Sequence, residues 1–246
     1  MLFLKYSMME KLNLDFVTIP GKDAYESGST PVRNLYFIAI IAEGKEECIY
    51  LDYIKSIVNE ADTVKLNIEI LNHYYNKEKT ALSESHPLRR LDALKEWSDT
   101  IQKISLTDDE EWIICDRDNG SFTNDQYDEL LADAETLGIH VIVSNPAFQI
   151  WLLFHFVKDI TPLRLDDYPK SKDRLKIVES ELKKYVVGYK HGSLEMDPFS
   201  EHIRDAMDNS QSDTQDLKEL KRSSGTNFRN LLCSIQDKCN DVALFR

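Results

Sequence analysis

The fold is decided by Leu35-Tyr36-Phe37-Ile38-Ala39-Ile40-Ile41-Ala42, an apolar run that ends at Glu43-Gly44. A second run, Glu111-Trp112-Ile113-Ile114-Cys115, ends in the same way at Asp116-Arg117-Asp118. Continuous apolar runs of this length are typical of strands that a parallel sheet buries on both faces. Each run therefore predicts a central strand with carboxylates at its carboxyl end.

The segments around these two runs follow helical and strand-like patterns in turn. Apolar residues recur at helical spacing over 46–59 and 88–104, and they alternate over 64–71. Residues 124–137 predict a helix that ends at Gly138, and His140–Val143 predicts another strand. This order favours an α/β fold of the Rossmann-like kind, with a mostly parallel sheet flanked by helices.

The second half of the chain changes character. A buried helix is predicted over 147–157, with Asn145 as its N-cap and Pro146 at its first position. Further helical segments are predicted over 170–187, 199–207 and 227–238. We therefore divide the chain into an N-terminal lead-in (1–34), an α/β core (35–157) and a helical C-terminal part (158–246).

Composition limits the classes of function. A chain of 246 residues with 42% hydrophobic content can bury a substantial core. The formal net charge of −13 opposes nucleic acid, so binding would need a local basic patch or a partner subunit. Arg89-Arg90 and residues 218–229 are the candidate patches, although each by itself is more typical of a solvated face.

Cysteine usage and hydropathy point to a compartment. The chain has four cysteines, without a C-x-x-C pair or a zinc spacing, which favours a reducing cytoplasm. The start of the chain lacks the pattern of a signal peptide. The most apolar stretch, Phe148 to Val157, is too short to cross a bilayer, so no membrane association is expected.

The strand-end carboxylates are the candidate chemistry. In an open parallel sheet the carboxyl ends of the strands form the ligand-binding edge. Glu43, Asp116 and Asp118 could there surround one Mg²⁺ or Mn²⁺, which prefers oxygen ligands and bridges carboxylates to phosphates. Each group also has an ordinary interpretation. Glu43 could simply complement a helix dipole, and the Asp pair could be a polar turn before Asn119-Gly120.

Other motifs are weaker. The spacing after Asp116 fails the EF-hand pattern, and the glycines form neither a P-loop nor a dinucleotide fingerprint. His155 is more typical of a hydrogen-bonded core histidine than of a catalytic one. Ser144 lacks the context of a nucleophile elbow.

Three blocks of sequence resemble a known family. They are Ile41-Ala42-Glu43-Gly44-Lys45-Glu46-Glu47-Cys48-Ile49-Tyr50, then Cys115-Asp116-Arg117-Asp118, then Ser144-Asn145-Pro146-Ala147-Phe148-Gln149-Ile150-Trp151-Leu152-Leu153-Phe154-His155-Phe156. In order and spacing they resemble the RloB-like family, which includes the AbiL second component and is placed in the TOPRIM superfamily. A late block, Gly225-Thr226-Asn227-Phe228, resembles the start of that family's last helix.

The resemblance implies a TOPRIM-like core with a metal-dependent site. It assigns acid/base or metal-binding roles to Glu43, and Mg²⁺ binding to Asp116 and Asp118, while Glu47 matches the second acidic position of the first motif. Two positions depart from the family: Glu46 replaces its usual Thr, and Gln149 stands where it usually has Glu. The resemblance further implies a bacterial phage-defence system and an ATPase partner.

Three hypotheses follow. The first is a Mg²⁺-dependent nuclease component that acts on DNA or RNA with an ATPase partner, using Glu43, Asp116 and Asp118 for catalysis. The second is a non-catalytic binding or regulatory subunit that keeps the TOPRIM shape, which the net charge and Gln149 favour. The third is phosphoryl or nucleotidyl transfer of the primase kind.

Overall fold

The sheet has the predicted mostly parallel character. A computed structural model describes residues 36–61, 66–71, 86–101, 109–117, 122–213, 215–239 and 244–245. Its strands are Tyr36–Ile41 (β1), Leu66–Leu71 (β2), Glu110–Asp116 (β3), His140–Asn145 (β4) and Gly225–Thr226 (β5). They lie in the order β2-β1-β3-β4-β5, and only β5 runs antiparallel to its neighbour. The α/β prediction is confirmed.

Nine helices are described around this sheet. They are Lys45–Glu60 (α1), Pro87–Ile101 (α2), Asn124–Leu137 (α3), Gln149–Phe154 (α4), Ser171–Leu182 (α5), Asp197–Ser200 (α6), Ile203–Asn209 (α7), Leu217–Leu220 (α8) and Arg229–Cys239 (α9). Short 3-10 turns occur at Thr161–Leu163, Leu165–Asp167 and Ser210–Ser212. In the described residues no helix is both long enough and apolar enough to cross a membrane.

The continuous apolar runs are explained by two cores. Ile38 and Ile40 of β1 point to a core that contains α1 and the C-terminal helices. Ala39 and Ile41 point to the opposite face, where α2 and α3 pack. All four of these side chains are completely buried. Because both faces of β1 are covered, no polar residue can alternate along it.

Helix α3 shows how local sequence sets its ends. The Thr123 hydroxyl accepts from the Gln126 backbone N–H, and the Gln126 side chain accepts from the Thr123 N–H. Two backbone N–H groups at the start of the helix are thereby satisfied. At the other end Gly138 adopts φ 72°, which a residue without a Cβ tolerates best. The predicted range of this helix is confirmed at both ends.

The predicted start of the buried helix is wrong. Ser144 and Asn145 extend β4 instead of capping a helix, and α4 begins only at Gln149 and ends at Phe154. Asn145 pairs with Gly225 in the sheet, and its Nδ2 donates to the carbonyl of Leu220 at 2.8 Å. The edge of β4 finds its partner about eighty residues later in the chain, so local capping rules could not detect it.

The C-terminal part completes the sheet. Gly225 and Thr226 form β5, so the last helix starts at Arg229 and the predicted start at Asn227 is wrong. The Asn227 side chain continues the ladder, because the Val143 N–H donates to its Oδ1 at 2.7 Å and its Nδ2 donates to the Val141 carbonyl at 2.9 Å. The C-terminal helices share one core with β1, β3 and β4. The lead-in (1–34) lies outside the described residues.

Candidate active site

The topology brings the first two strand-end acids together. From β1 the chain crosses to β2 on one side, and it later places β3 on the other side. The order of connection therefore reverses between β1 and β3, which is where open α/β sheets bind ligands. Glu43 follows β1, Asp116 ends β3, and the Asp116 N–H donates to Glu43 Oε2 at 3.1 Å. The carboxyl edge thus holds both side chains at one point.

Asp116 is held by the backbone on its other side. The Phe148 N–H donates to Asp116 Oδ1 at 2.9 Å, just before α4 begins. Burial raises the pKa of the Asp116 carboxyl well above its ordinary value, and the charges of Glu47 and Glu43 raise it further. The Phe148 hydrogen bond acts in the opposite direction. Asp116 therefore retains a proton more readily than an exposed aspartate does.

Glu47 lies over Gly44 in the first turn of α1. Burial raises its pKa from 4.5 to about 7, and the nearby charges of Glu43 and Glu46 contribute in the same direction. Gly44 has φ −116° and ψ 169°, which any residue can adopt. A Cβ at position 44, however, would clash with Glu47 Oε2. The glycine is needed for space above the turn and not for its backbone freedom.

Arg90 is a site residue that the sequence did not single out in this role. Its side chain is 1% exposed, and Nη1 lies 2.9 Å from Glu43 Oε2. It was predicted only as part of a basic patch with Arg89, whereas the structure leaves Arg89 exposed beside Asp92. A signal was present, because Arg90 precedes Leu94 by one helical turn on the buried side of α2.

Arg117 points away from Asp116. Its side chain donates to the carbonyl of Phe122 and to Asn124 Oδ1, and its guanidinium lies over the ring of Tyr127 at 5.2 Å. Successive residues of an extended chain alternate in direction, so the Arg117 side chain holds the start of α3 on the opposite side from Asp116. Asp118 lies outside the described residues, and its placement beside Asp116 stays a prediction.

The two positions that depart from the family pattern touch each other. Gln149 Nε2 donates to Glu46 Oε2, and the Tyr189 hydroxyl donates to Glu46 Oε1 at 3.1 Å. Glu46 and Gln149 are both buried. A carboxylate is therefore present at this contact, supplied by residue 46 and not by residue 149.

Comparison with known families identifies the chain. The sequence model of the RloB-like proteins matches residues 38–235, which is most of the chain and reaches from within β1 into α9. The protein belongs to the RloB-like family. No curated protein and no solved structure matched this sequence.

The donor chemistry of this RloB-like site fits a hard divalent cation. Glu43, Glu47 and Asp116 offer carboxylate oxygens, the ligand type that Mg²⁺ and Mn²⁺ prefer. Mutual repulsion contributes to the raised pKa values of Glu47 and Asp116, and a bound cation would relieve it. Within the described ranges, which omit Asp118, no three such side chains are already arranged as a metal cluster.

Other candidates in this RloB-like protein have structural roles. His155 is completely buried, its Nε2 lies 3.2 Å from the Tyr50 hydroxyl, and burial lowers its pKa to about 3. It is a neutral core histidine, as its sequence context favoured. The Ser144 hydroxyl lies 2.9 Å from the hydroxyl of Thr226, at the β4–β5 pairing. In the second basic patch, Lys221 pairs with Asp128 at 2.6 Å.

Proposed function

We propose that this RloB-like protein is a metal-dependent nuclease that hydrolyses phosphodiester bonds of DNA or RNA. Glu43, Glu47, Asp116 and Asp118 would hold Mg²⁺ or Mn²⁺, and Glu43, Asp116 and Asp118 would form the catalytic set. The observation that carries the proposal is the hydrogen bond from the Asp116 N–H to Glu43 Oε2 at the switch point of the sheet. Acids from two strands meet there, as a phosphate-binding metal site requires.

The chain's own residues prepare this site. The Phe148 N–H fixes Asp116 Oδ1, and Arg90 fixes Glu43. The raised pKa of Glu47, about 7, means that without a cation this carboxyl holds a proton near neutral pH, which metal binding would displace. A bound divalent cation offsets phosphate charge and acidifies coordinated water. Together these features favour attack by water on phosphorus.

A tyrosine nucleophile is disfavoured. The Tyr50 side chain is completely buried, and its hydroxyl lies beside His155 Nε2. Burial also raises its pKa, which opposes formation of the phenolate. Tyr50 therefore belongs to the core, and hydrolysis by water is the better-supported chemistry.

The setting of the reaction is proposed from the family. The RloB-like resemblance implies a phage-defence or abortive-infection system, an ATPase partner and a cytoplasmic location. A net charge of −13 agrees with a partner that supplies part of the affinity for nucleic acid.

A second candidate is a non-catalytic binding or regulatory subunit of the same kind of system. The observation that favours it is the amide at position 149, which donates to Glu46 where the family usually has a carboxylate. Such a subunit would bind nucleic acid or the ATPase and would not cleave.

Asp116→Asn separates these candidates. Asparagine can still accept from the Phe148 N–H, so the fold should persist while the metal ligand is lost. We expect Mg²⁺ or Mn²⁺ to raise the melting temperature of the wild type and not of the variant, by mass action on the folded state. Metal-dependent cleavage of a labelled oligonucleotide should disappear in parallel.

The matched control is Asp133→Asn, because Asp133 is exposed on α3, away from the site. It should retain both responses to metal. Undiminished cleavage by Asp116→Asn would refute the assignment. A metal response without any cleavage, even with the ATPase present, would favour the non-catalytic subunit.

A further inference from the structure

Residues 183–194, which precede Glu195 in the connection between α5 and α6, differ in charge from the rest of the chain. They contain Lys183, Lys184, Lys190 and His191, and no Asp or Glu. In the whole chain Asp and Glu outnumber Lys and Arg by 43 to 30. This segment, which we call the basic connection, is thus a local exception to a field that repels nucleic acid.

The basic connection is attached to the candidate active site. The Tyr189 hydroxyl donates to both carboxylate oxygens of Glu46, at 3.1 and 3.2 Å. His191 Nδ1 lies 3.3 Å from Gln149 Nε2. Glu46 directly precedes Glu47 in the first turn of α1. The connection therefore borders the carboxylates at the edge of the sheet.

The lysines of the basic connection face solvent. Lys190 is exposed between Tyr189 and His191, and Lys183 is exposed at the end of α5. In the described part of the chain neither Lys183 nor Lys190 has an acidic side chain within ion-pair distance, whereas Lys184 pairs with Glu181. Lys183 and Lys190 can therefore bind an external anion without first breaking an internal pair.

Exposed apolar side chains accompany the lysines. Tyr185 is 46% exposed, and its ring stacks on Phe156 with centroids 5.2 Å apart and an interplanar angle of 4°. Val187 is 96% exposed. A stacked tyrosine supported on one face and accessible to solvent is the kind of platform on which an unpaired base stacks.

We propose that the basic connection binds single-stranded nucleic acid beside the active site. Lys183 and Lys190 contact the phosphates of a strand, and Tyr185 stacks on one of its bases. This inference rests on the proposed function, since the cation proposed at the carboxylates next to Glu46, which binds Tyr189, would attract a phosphodiester strand. Positive charge combined with an exposed aromatic ring favours an unpaired strand over a duplex, whose bases are stacked internally.

The test measures binding by the full chain. The probe is a fluorescent oligothymidylate with cleavage-resistant phosphorothioate linkages, followed by anisotropy with Mg²⁺ across a potassium chloride series. We expect Lys183→Ala/Lys190→Ala to bind at least tenfold more weakly. Its slope of log affinity against log salt should fall by about 1.4, since each single-strand phosphate contact contributes about 0.7. Tyr185→Ala should weaken binding at least fivefold and leave the salt slope unchanged.

The control is Lys172→Ala/Lys176→Ala on α5. These lysines are also exposed, and Lys172 lies about 16 Å from Lys183 along the helix axis. The control should bind like the wild type. Equal loss in both double variants would reduce the effect to net charge and overturn the proposal. Unchanged affinity of Lys183→Ala/Lys190→Ala would also overturn it. So would a Tyr185→Ala variant that weakens duplex binding as much as single-strand binding. Lysine-dependent binding of anionic lipid vesicles, without any binding of the oligonucleotide, would overturn it as well.

A parallel cleavage assay on a phosphodiester oligonucleotide separates this proposal from the proposed function. Cleavage by the wild type with normal binding by Lys183→Ala/Lys190→Ala would refute the basic connection alone. Lysine-dependent and tyrosine-dependent binding without cleavage would refute the nuclease and support the basic connection.

Discussion

Replacing Glu47 by glutamine should stabilise the metal-free protein near pH 8 and have much less effect near pH 5. Burial, together with the charges of Glu43 and Glu46, raises the pKa of Glu47 from 4.5 to about 7 in the folded state. The folded protein therefore binds this proton more tightly than the unfolded chain does. Its contribution to stability is complete below pH 4.5 and is lost as the pH rises through 7.

The magnitude follows from the size of the shift. Raising a pKa from 4.5 to about 7 corresponds to roughly 3 kcal/mol, because one unit is worth about 1.4 kcal/mol. Glutamine has the same shape and no charge, so Glu47→Gln should recover about this amount near pH 8. Part of this energy depends on Asp116, because the charge of Glu47 raises the pKa of that carboxyl.

Urea denaturation with EDTA at both pH values measures the difference. Glu201→Gln is the matched control, since Glu201 is exposed and should give no change. A Glu47→Gln variant that is equally stable or less stable than the wild type near pH 8 would refute the reasoning. Added Mg²⁺ should reverse the order, because the ion stabilises only a protein that binds it.

Two further predictions concern Gly44 and His155. Gly44→Ala keeps an allowed backbone but displaces the Glu47 carboxylate, so Mg²⁺ titrations of melting temperature should show at least tenfold weaker binding, while the unfolding free energy changes by about 1 kcal/mol or less. An unchanged Mg²⁺ response would contradict this. Burial lowers the pKa of His155 from 6.5 to about 3, so its stabilising effect is present above pH 6.5 and is lost as the pH falls towards 3, by on the order of 4 kcal/mol. His155→Gln should flatten the acid side of the stability–pH profile, and an unaltered slope would show that another group dominates.

Much of the sheet could be predicted from the sequence because its signals are local. The apolar run before Glu43 and the run before Asp116 each match a strand buried on two faces. Strands β1 and β3 are parallel neighbours, and the chain leaves them towards opposite edges of the sheet, so their carboxyl ends lie together. The meeting of Glu43 and Asp116 follows from that topology, although neither distance nor partner can be read from spacing.

What escaped prediction depends on residues far apart in the chain. Arg90 pairs with Glu43 across 47 positions, and an arginine on a helix resembles any solvated charge until the fold buries it. Asparagine is a common helix N-cap, yet Asn145 pairs with Gly225 of the C-terminal strand β5. In both cases tertiary contacts override a local preference, which single-sequence rules cannot weigh.

The short strand β5 also protects the edge of β4, and its loss would affect the aggregation of truncated chains. A chain that stops before Gly225, through a nonsense codon or a protease, would lose both β5 and the Asn227 amide. The backbone groups of β4 along that side, beside the apolar Val141 and Val143, would then have no partner. An unpaired apolar edge of this kind is a template for strands of other molecules. Truncated products of this gene should therefore accumulate as aggregates that form through the exposed edge of β4.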